Sequence, residues 1–173
     1  MSAIEDELKK IKEKGESKST KTFRYKGQTV DLPTYYVPTN LLRFNSLNGR
    51  IESITEEYIQ SGKDLASLSI ADSNKIIYEW IWKKDLSKNK NSLKDIQEKG
   101  QIEAGVVTRD GIIIDGNRRF MLINKINETA TQSRGFKAVI LDDTYEDGKT
   151  SNIDLMELEQ ELQITVDEKV DYD

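Results

Sequence analysis

The chain contains no cysteine and no histidine. Without cysteine it has no disulfide, no thiolate nucleophile and no Cys-based metal or iron–sulfur site. Without histidine it lacks the commonest general base and the usual zinc ligand. Chemistry here must run on Asp, Glu, Lys, Arg, Ser, Thr, Tyr or a bound Mg2+. No apolar run approaches the ~20 residues of a membrane span. The start, Met1-Ser-Ala-Ile-Glu-Asp-Glu7, lacks the charged-then-apolar shape of a signal peptide. A cytoplasmic protein with no membrane partner is expected, so the glycosylation sequon Asn127-Glu-Thr129 carries no weight. The net charge of −5 is not that of a strongly basic nucleic-acid binder. A local basic patch can still survive an acidic average.

What is present is enough for one folded domain. The 173 residues are 36% apolar and 33% charged, a modest core under a highly charged surface. Residues 3–14 read as a polar helix with Ile4, Leu8 and Ile11 on one side, part of a loosely held arm spanning 1–20. Phe23 to Leu32 reads as a hairpin around Gly27, interrupted by Pro33; Tyr35 to Val37 is a strand closed by Pro38. Helices are expected at 51–60, within 65–86 and over 92–99. Asp72 or Ser73 is the expected N-cap for 74–84, and Ser92 for the third helix, which Gly100 stops. The pattern then turns to short apolar runs. A hairpin of 105–108 and 112–114 around Arg109-Asp-Gly111, a strand at 136–141 and a helix at 152–162 complete the domain, 21–163. Residues 164–173 read as an acidic tail, expected to lead into a further C-terminal region. The fold class expected is α/β (α+β), a small mixed sheet flanked by helices.

The densest chemistry lies at Ile112-Ile-Ile-Asp-Gly-Asn-Arg-Arg-Phe120. An apolar strand stops at Asp115-Gly116, two arginines follow, and a helix begins. That order puts free backbone N–H groups and the guanidinium groups of Arg118 and Arg119 at one helix N-terminus, a good place for phosphate. The turn is expected at the sheet's edge, facing a cleft closed by the 39–50 loop and the last helix.

From Leu93 to Phe120 the chain resembles the N-terminal domain of the ParB/sulfiredoxin-like superfamily, with its glycine-ended helix, two strands and Gly-Glu-Arg-Arg turn. Gly100, Gly116, Arg118 and Arg119 match that signature. Val37-Pro-Thr-Asn-Leu-Leu-Arg-Phe-Asn-Ser-Leu-Asn-Gly-Arg50 resembles the family's opening box. The resemblance implies a nucleoside triphosphate, CTP or ATP, with Mg2+. Gly116, Asn117, Arg118, Arg119, Arg50, Gly100 and Glu103 would contact the nucleotide. Asp115 and Glu159 would be the catalytic carboxylates, and Asp115, Glu159 and Glu161 the metal ligands. Asn117 stands where the family carries an acid, and an amide cannot act as a base. Glu103-Ala104 replaces the usual Gln-Pro, so the base preference stays open. The absent cysteine excludes sulfiredoxin's repair chemistry.

Blander readings stand beside these. Arg118 and Arg119 could pair with acids such as Glu103 or Glu159. Gly148-Lys149-Thr150 lacks the earlier glycine of a phosphate-binding loop and reads as a solvated turn. Trp80 is expected in the core and Trp82 as a partner contact. The acids of 142–147 and 167–173 read as solvated. Lysines from Lys83 to Lys94 form a solvated face or a DNA-phosphate patch. Three functions remain in view. One is a nucleotide-binding switch in DNA or mobile-element maintenance, with possible self-association as a homodimer. Another is a Mg-dependent nucleotide hydrolase, phosphotransferase or nuclease. The third is a regulatory protein-interaction domain with a vestigial anion site.

Overall fold

The computed structural model describes residues 2–17, 19–45, 56–58, 60–62, 68–145 and 155–162. The fold is mixed α+β. Helix α1 (Ala3–Lys14) begins at Ser2, whose hydroxyl accepts from the Glu5 N–H. Glu5 and Asp6 in its first turn and Lys12 and Lys14 in its last complement the helix dipole. Strands β1 (Thr20–Tyr25) and β2 (Gln28–Val37) form the first hairpin. Its two-residue turn has positive φ at both Lys26 and Gly27, which matches the twist of the flanking strands.

Pro33 does not interrupt β2. Residues 28–33 pair with β1 and residues 34–37 with β5 (Phe136–Ile140). The Thr34 N–H donates toward β1, to the Ser19 carbonyl, so position 33 faces the other edge. There the β5 ladder starts only at Thr34, and the missing proline N–H breaks no bond. The hairpin and the later strands therefore share one sheet, in the order β1-β2-β5-β3-β4, with β3 Gly105–Val107 and β4 Ile113–Asp115. All neighbours are antiparallel except β3 and β5.

The β1–β2 hairpin keeps one face exposed, while both faces of the β5-β3-β4 part of this sheet are buried. On one, Val37, Val107, Ile113, Ala138 and Ile140 pack with residues of α1, α2 (Ile70–Lys84) and α4 (Asn117–Thr129). On the other, Val106, Ile114, Val139 and Leu141 meet Leu155, Leu158 and Leu162 of the helical residues 155–162. The alternating apolar positions along each strand divide between these two layers.

Several expected boundaries shift. Helix α2 starts at Ser69, whose hydroxyl accepts from the Asp72 N–H at 3.1 Å, so Asp72 lies in the first turn rather than at the cap. Helix α3 (Leu86–Lys99) begins well before Ser92, which is mid-helix. Trp80 is 36% exposed, whereas Trp82 packs on the core. Trp82 and Tyr78 hold Lys125 of α4 between their rings, at 5.1 and 5.3 Å, and Glu79 pairs with the same ammonium at 3.0 Å. Asp143 is not simply solvated: Tyr25 and Lys26 hydrogen-bond its carboxylate. The expected helix at 51–60 lies mostly outside the described residues, as do 146–147 and the acidic tail. No helix among the described residues is long and apolar enough to cross a membrane.

The N-terminal arm joins the core. Leu8 is fully buried against the same cluster as Phe120 and Phe136. Leu8→Ala should therefore cost about 2–5 kcal/mol in urea unfolding, the range for a buried leucine. A loss below roughly 0.5 kcal/mol, the level of a surface change, would return the arm to a loose attachment.

Candidate functional site

The Asp115–Arg119 turn joins edge strand β4 to helix α4. Gly116 has φ +105° and gives the helix no side-chain cap. A Cβ there would lie 2.9 Å from Phe136 Cζ and one on Gly105 2.5 Å from the same atom, so both positions need glycine. The Phe136 ring thus sits directly under the turn. Phe120, in the first turn of α4, meets Phe136 edge-on at 5.5 Å and Phe44 at 5.0 Å. The Phe120 N–H donates to the Gly116 carbonyl, and the N–H groups ahead of it, at residues 117–119, have no intrahelical acceptor, as at any helix start.

The two arginines do different work. Arg119 pairs with Asp115 at 3.1 Å, both side chains mostly buried. It also lines a hollow of about 180 Å³ with Gly100 and Glu103. Arg118 turns the other way: its Nε donates to Asn89 Oδ1 and its Nη2 to Ser92 Oγ, each at 2.9 Å. Asn89 is only 1% exposed and donates in turn to the Ile81 and Trp82 carbonyls. One amide therefore closes the last turn of α2, braces α3 and orients Arg118. Ser92, expected as a cap, instead receives a guanidinium.

Asp115 has an acidic neighbour across the sheet edge. Glu159, on the helical residues 155–162, accepts from Asn45 Nδ2 at 3.1 Å. Asn45 is buried and hydrogen-bonds the Tyr145 side chain. Burial, reinforced by the Asp115 charge, pushes the Glu159 carboxyl up to about 7. Asn117 Oδ1 is a buried acceptor without a hydrogen-bond partner among the described residues. The site therefore combines crowded negative charge, an acceptor oxygen with no partner among the described residues and helix N–H groups that lack intrahelical acceptors.

The residues expected from the sequence separate into groups. Asp115, Gly116, Asn117, Arg119 and Glu159 gather at the turn, and Gly100 and Glu103 border it through the hollow. Glu103 also pairs with Lys21 at 3.3 Å. Arg118 starts from the turn but is held by α3. Glu161 does not join Glu159. It lines a separate groove beside β1, because residues two apart on a helix point to nearly opposite sides. Among the described residues no three carboxylates gather as a metal-binding group. Arg50 lies outside the described residues. Lys83, Lys84, Lys88, Lys90 and Lys94 are all exposed. Asn45, Asn89 and Tyr145 were not expected. Asn45 lay within a turn-rich box and Tyr145 within an acidic loop, and neither pattern signals burial.

Asn89→Ala should cost about 2 kcal/mol, since it leaves a guanidinium and two carbonyls short of partners; urea unfolding measures it, and a cost near zero would remove Asn89 from this role. Glu159 has the opposite signature. Its carboxyl keeps a proton in the folded state that the unfolded chain releases from pH 4.5 upward. Its contribution to stability is therefore present at low pH and is lost as pH rises toward 7. Relative to wild type, Glu159→Gln should gain about 1 kcal/mol between pH 5 and pH 8, after allowance for solvent screening. Parallel stability curves for the two proteins would remove that electrostatic assignment. Among known proteins, the chain matches no family model, no curated protein and no solved structure.

Proposed function

We propose that the Asp115–Arg119 turn holds the phosphates of a nucleoside triphosphate with Mg2+, and that the chain works as a nucleotide-binding switch module. The observation that carries this reading is the start of α4: Gly116 supplies no side-chain cap, and Arg119 stands beside helix N–H groups that lack intrahelical acceptors. The donor set fits the cation. Asp115 and Glu159 would hold Mg2+ with the neutral Asn117 Oδ1, since Mg2+ is usually bound by one or two carboxylates plus phosphate oxygens. Bound there, the ion would supply charge neutralisation between the acids and the phosphates.

The chain's own residues then have distinct tasks. Arg119 would bind phosphate oxygens, and its pairing with Asp115 would keep it at the turn until they arrive. Arg118 would fix the turn against α3. Gly100 and Glu103 would line the hollow beside the phosphates, open to the sugar or base of CTP or ATP. By the ParB-like resemblance, the setting is DNA or mobile-element maintenance. DNA would meet the lysine face Lys83–Lys94 or a C-terminal region, and a homodimer would be the responding state.

A second reading, slow Mg-dependent hydrolysis, has one specific observation in its favour. A carboxyl such as Glu159, poised near neutrality, suits proton transfer. Asn117 in place of an acid favours binding over turnover.

Calorimetric titration with Mg2+ and each of CTP, ATP, GTP and UTP tests the proposal. One nucleotide should bind, and Arg119→Ala should weaken it by roughly tenfold or more, the loss of a charged phosphate contact. Release of inorganic phosphate, lost in Glu159→Gln, would select the enzyme. No heat from any nucleotide, with a folded sample, would overturn the reading and leave the anion site vestigial.

A further inference from the structure

The two edges of the sheet are treated differently. At β4, Arg43 fills the edge: its N–H donates to the Gly111 carbonyl and its own carbonyl accepts from Ile113. At β1 no described residue does the same. The hairpin turn has two residues, so Tyr25–Gln28 is a hydrogen-bonded pair, followed by Phe23–Val30 and Lys21–Leu32. The N–H and C=O groups of Thr20, Thr22 and Arg24 therefore point away from β2.

Natural edges are usually guarded by a proline, a bulge or an outward charge. Strand β1 has no proline and no register shift. One of its charges is withdrawn, the Lys21 side chain being only 15% exposed and lying on Glu103; Arg24 stays exposed but is turned back to donate to the Gly27 carbonyl. A groove of about 650 Å³ runs beside Ser19 to Arg24, with Ile102 to Ala104 as its other wall. Phe23, Ala104 and Leu162 give it apolar lining, and Ile102 is 72% exposed at its rim. Lys137 reaches this groove half-buried, with no ion-pair partner among the described residues.

We infer that β1 is a docking edge for an extended peptide, which adds as a further strand and places an acidic side chain against Lys137. Open backbone groups supply the affinity. Glu103 and Glu161 also line the groove, but Glu103 is paired with Lys21, and Lys137, which has no ion-pair partner among the described residues, sets the preference for an acid. The occupant is a peptide segment of a partner protein. This site is separate from the Asp115–Arg119 turn and stands without the nucleotide reading.

The test uses the blocked peptide Val-Thr-Glu-Thr-Val, whose sequence reads the same in both directions, and its lysine counterpart Val-Thr-Lys-Thr-Val. Both are titrated by NMR. The glutamate peptide should bind the wild type and slow exchange of the Thr20, Thr22 and Arg24 amides. Lys137→Glu should exchange the preference, binding the lysine peptide better. Thr22→Pro removes an outward N–H while sparing the β2 ladder, and should weaken binding by roughly tenfold. If Thr22→Pro does not fold, the charge exchange at Lys137 still decides. Binding of neither peptide, an unchanged preference in Lys137→Glu, or full binding by a folded Thr22→Pro would each overturn the inference. Concentration-dependent dimerisation through the same amides would overturn the choice of occupant in favour of a second copy.

Discussion

The placement of one ring governs the rest of the structure. Phe136 lies under two glycines, Gly105 on β3 and Gly116 at the turn, in a space that no Cβ could share. Because β5 pairs with both β2 and β3, this ring sits at the centre of the sheet. Phe120 and Phe44 continue the edge-to-face contact into α4 and the segment after β2. The turn's height above the sheet is set by van der Waals packing, which tolerates little error. Polar chemistry at Asp115 thus rests on an aromatic foundation.

Over that foundation the electrostatics are unbalanced. Asp115 is compensated by Arg119, while Glu159 has, among the described residues, the amide of Asn45 and no cation, and burial raises its proton affinity. Two acids held this way store repulsion that a cation or a proton relieves. The arrangement is a recurrent signature of sites rather than of cores. Structural acids are more often paired outright, as Glu79 is with Lys125.

The sequence was most informative where local rules applied. Positive-φ turns, a glycine after α3, and strand–turn–helix order at Asp115 are all short-range signals, and the elements they mark are present. It was least informative where tertiary contacts replaced a local pattern. The sequence pattern shortens α3 because Asn89 occupies an apolar position in the series Leu86, Asn89, Leu93, Ile96, where it hydrogen-bonds Ile81, Trp82 and Arg118. Pro33 looked like a break because nothing local tells which edge of β2 its nitrogen faces. Hydropathy alone points to Trp80 as the core residue, whereas Trp82 packs on the core and also meets Lys125 of α4. The turn itself was legible, but Asn45 and Tyr145 were not, since their burial is created by residues far along the chain.

That distance has a kinetic meaning. Asn45 and Glu159 are 114 residues apart in sequence, and β2 meets β5 across a similar span. Loop closure of that length is slow relative to forming the β1–β2 hairpin or the α2–α3 corner, whose contacts are local. Contact order therefore predicts that the hairpin and helices come first during folding and that the acid pair is among the last features assembled. Until then Asp115 is a solvated carboxylate on an unfinished edge. A growing chain consequently passes through states with its turn formed and its charge conflict absent, so the strained electrostatics burden the finished fold and not its nucleus.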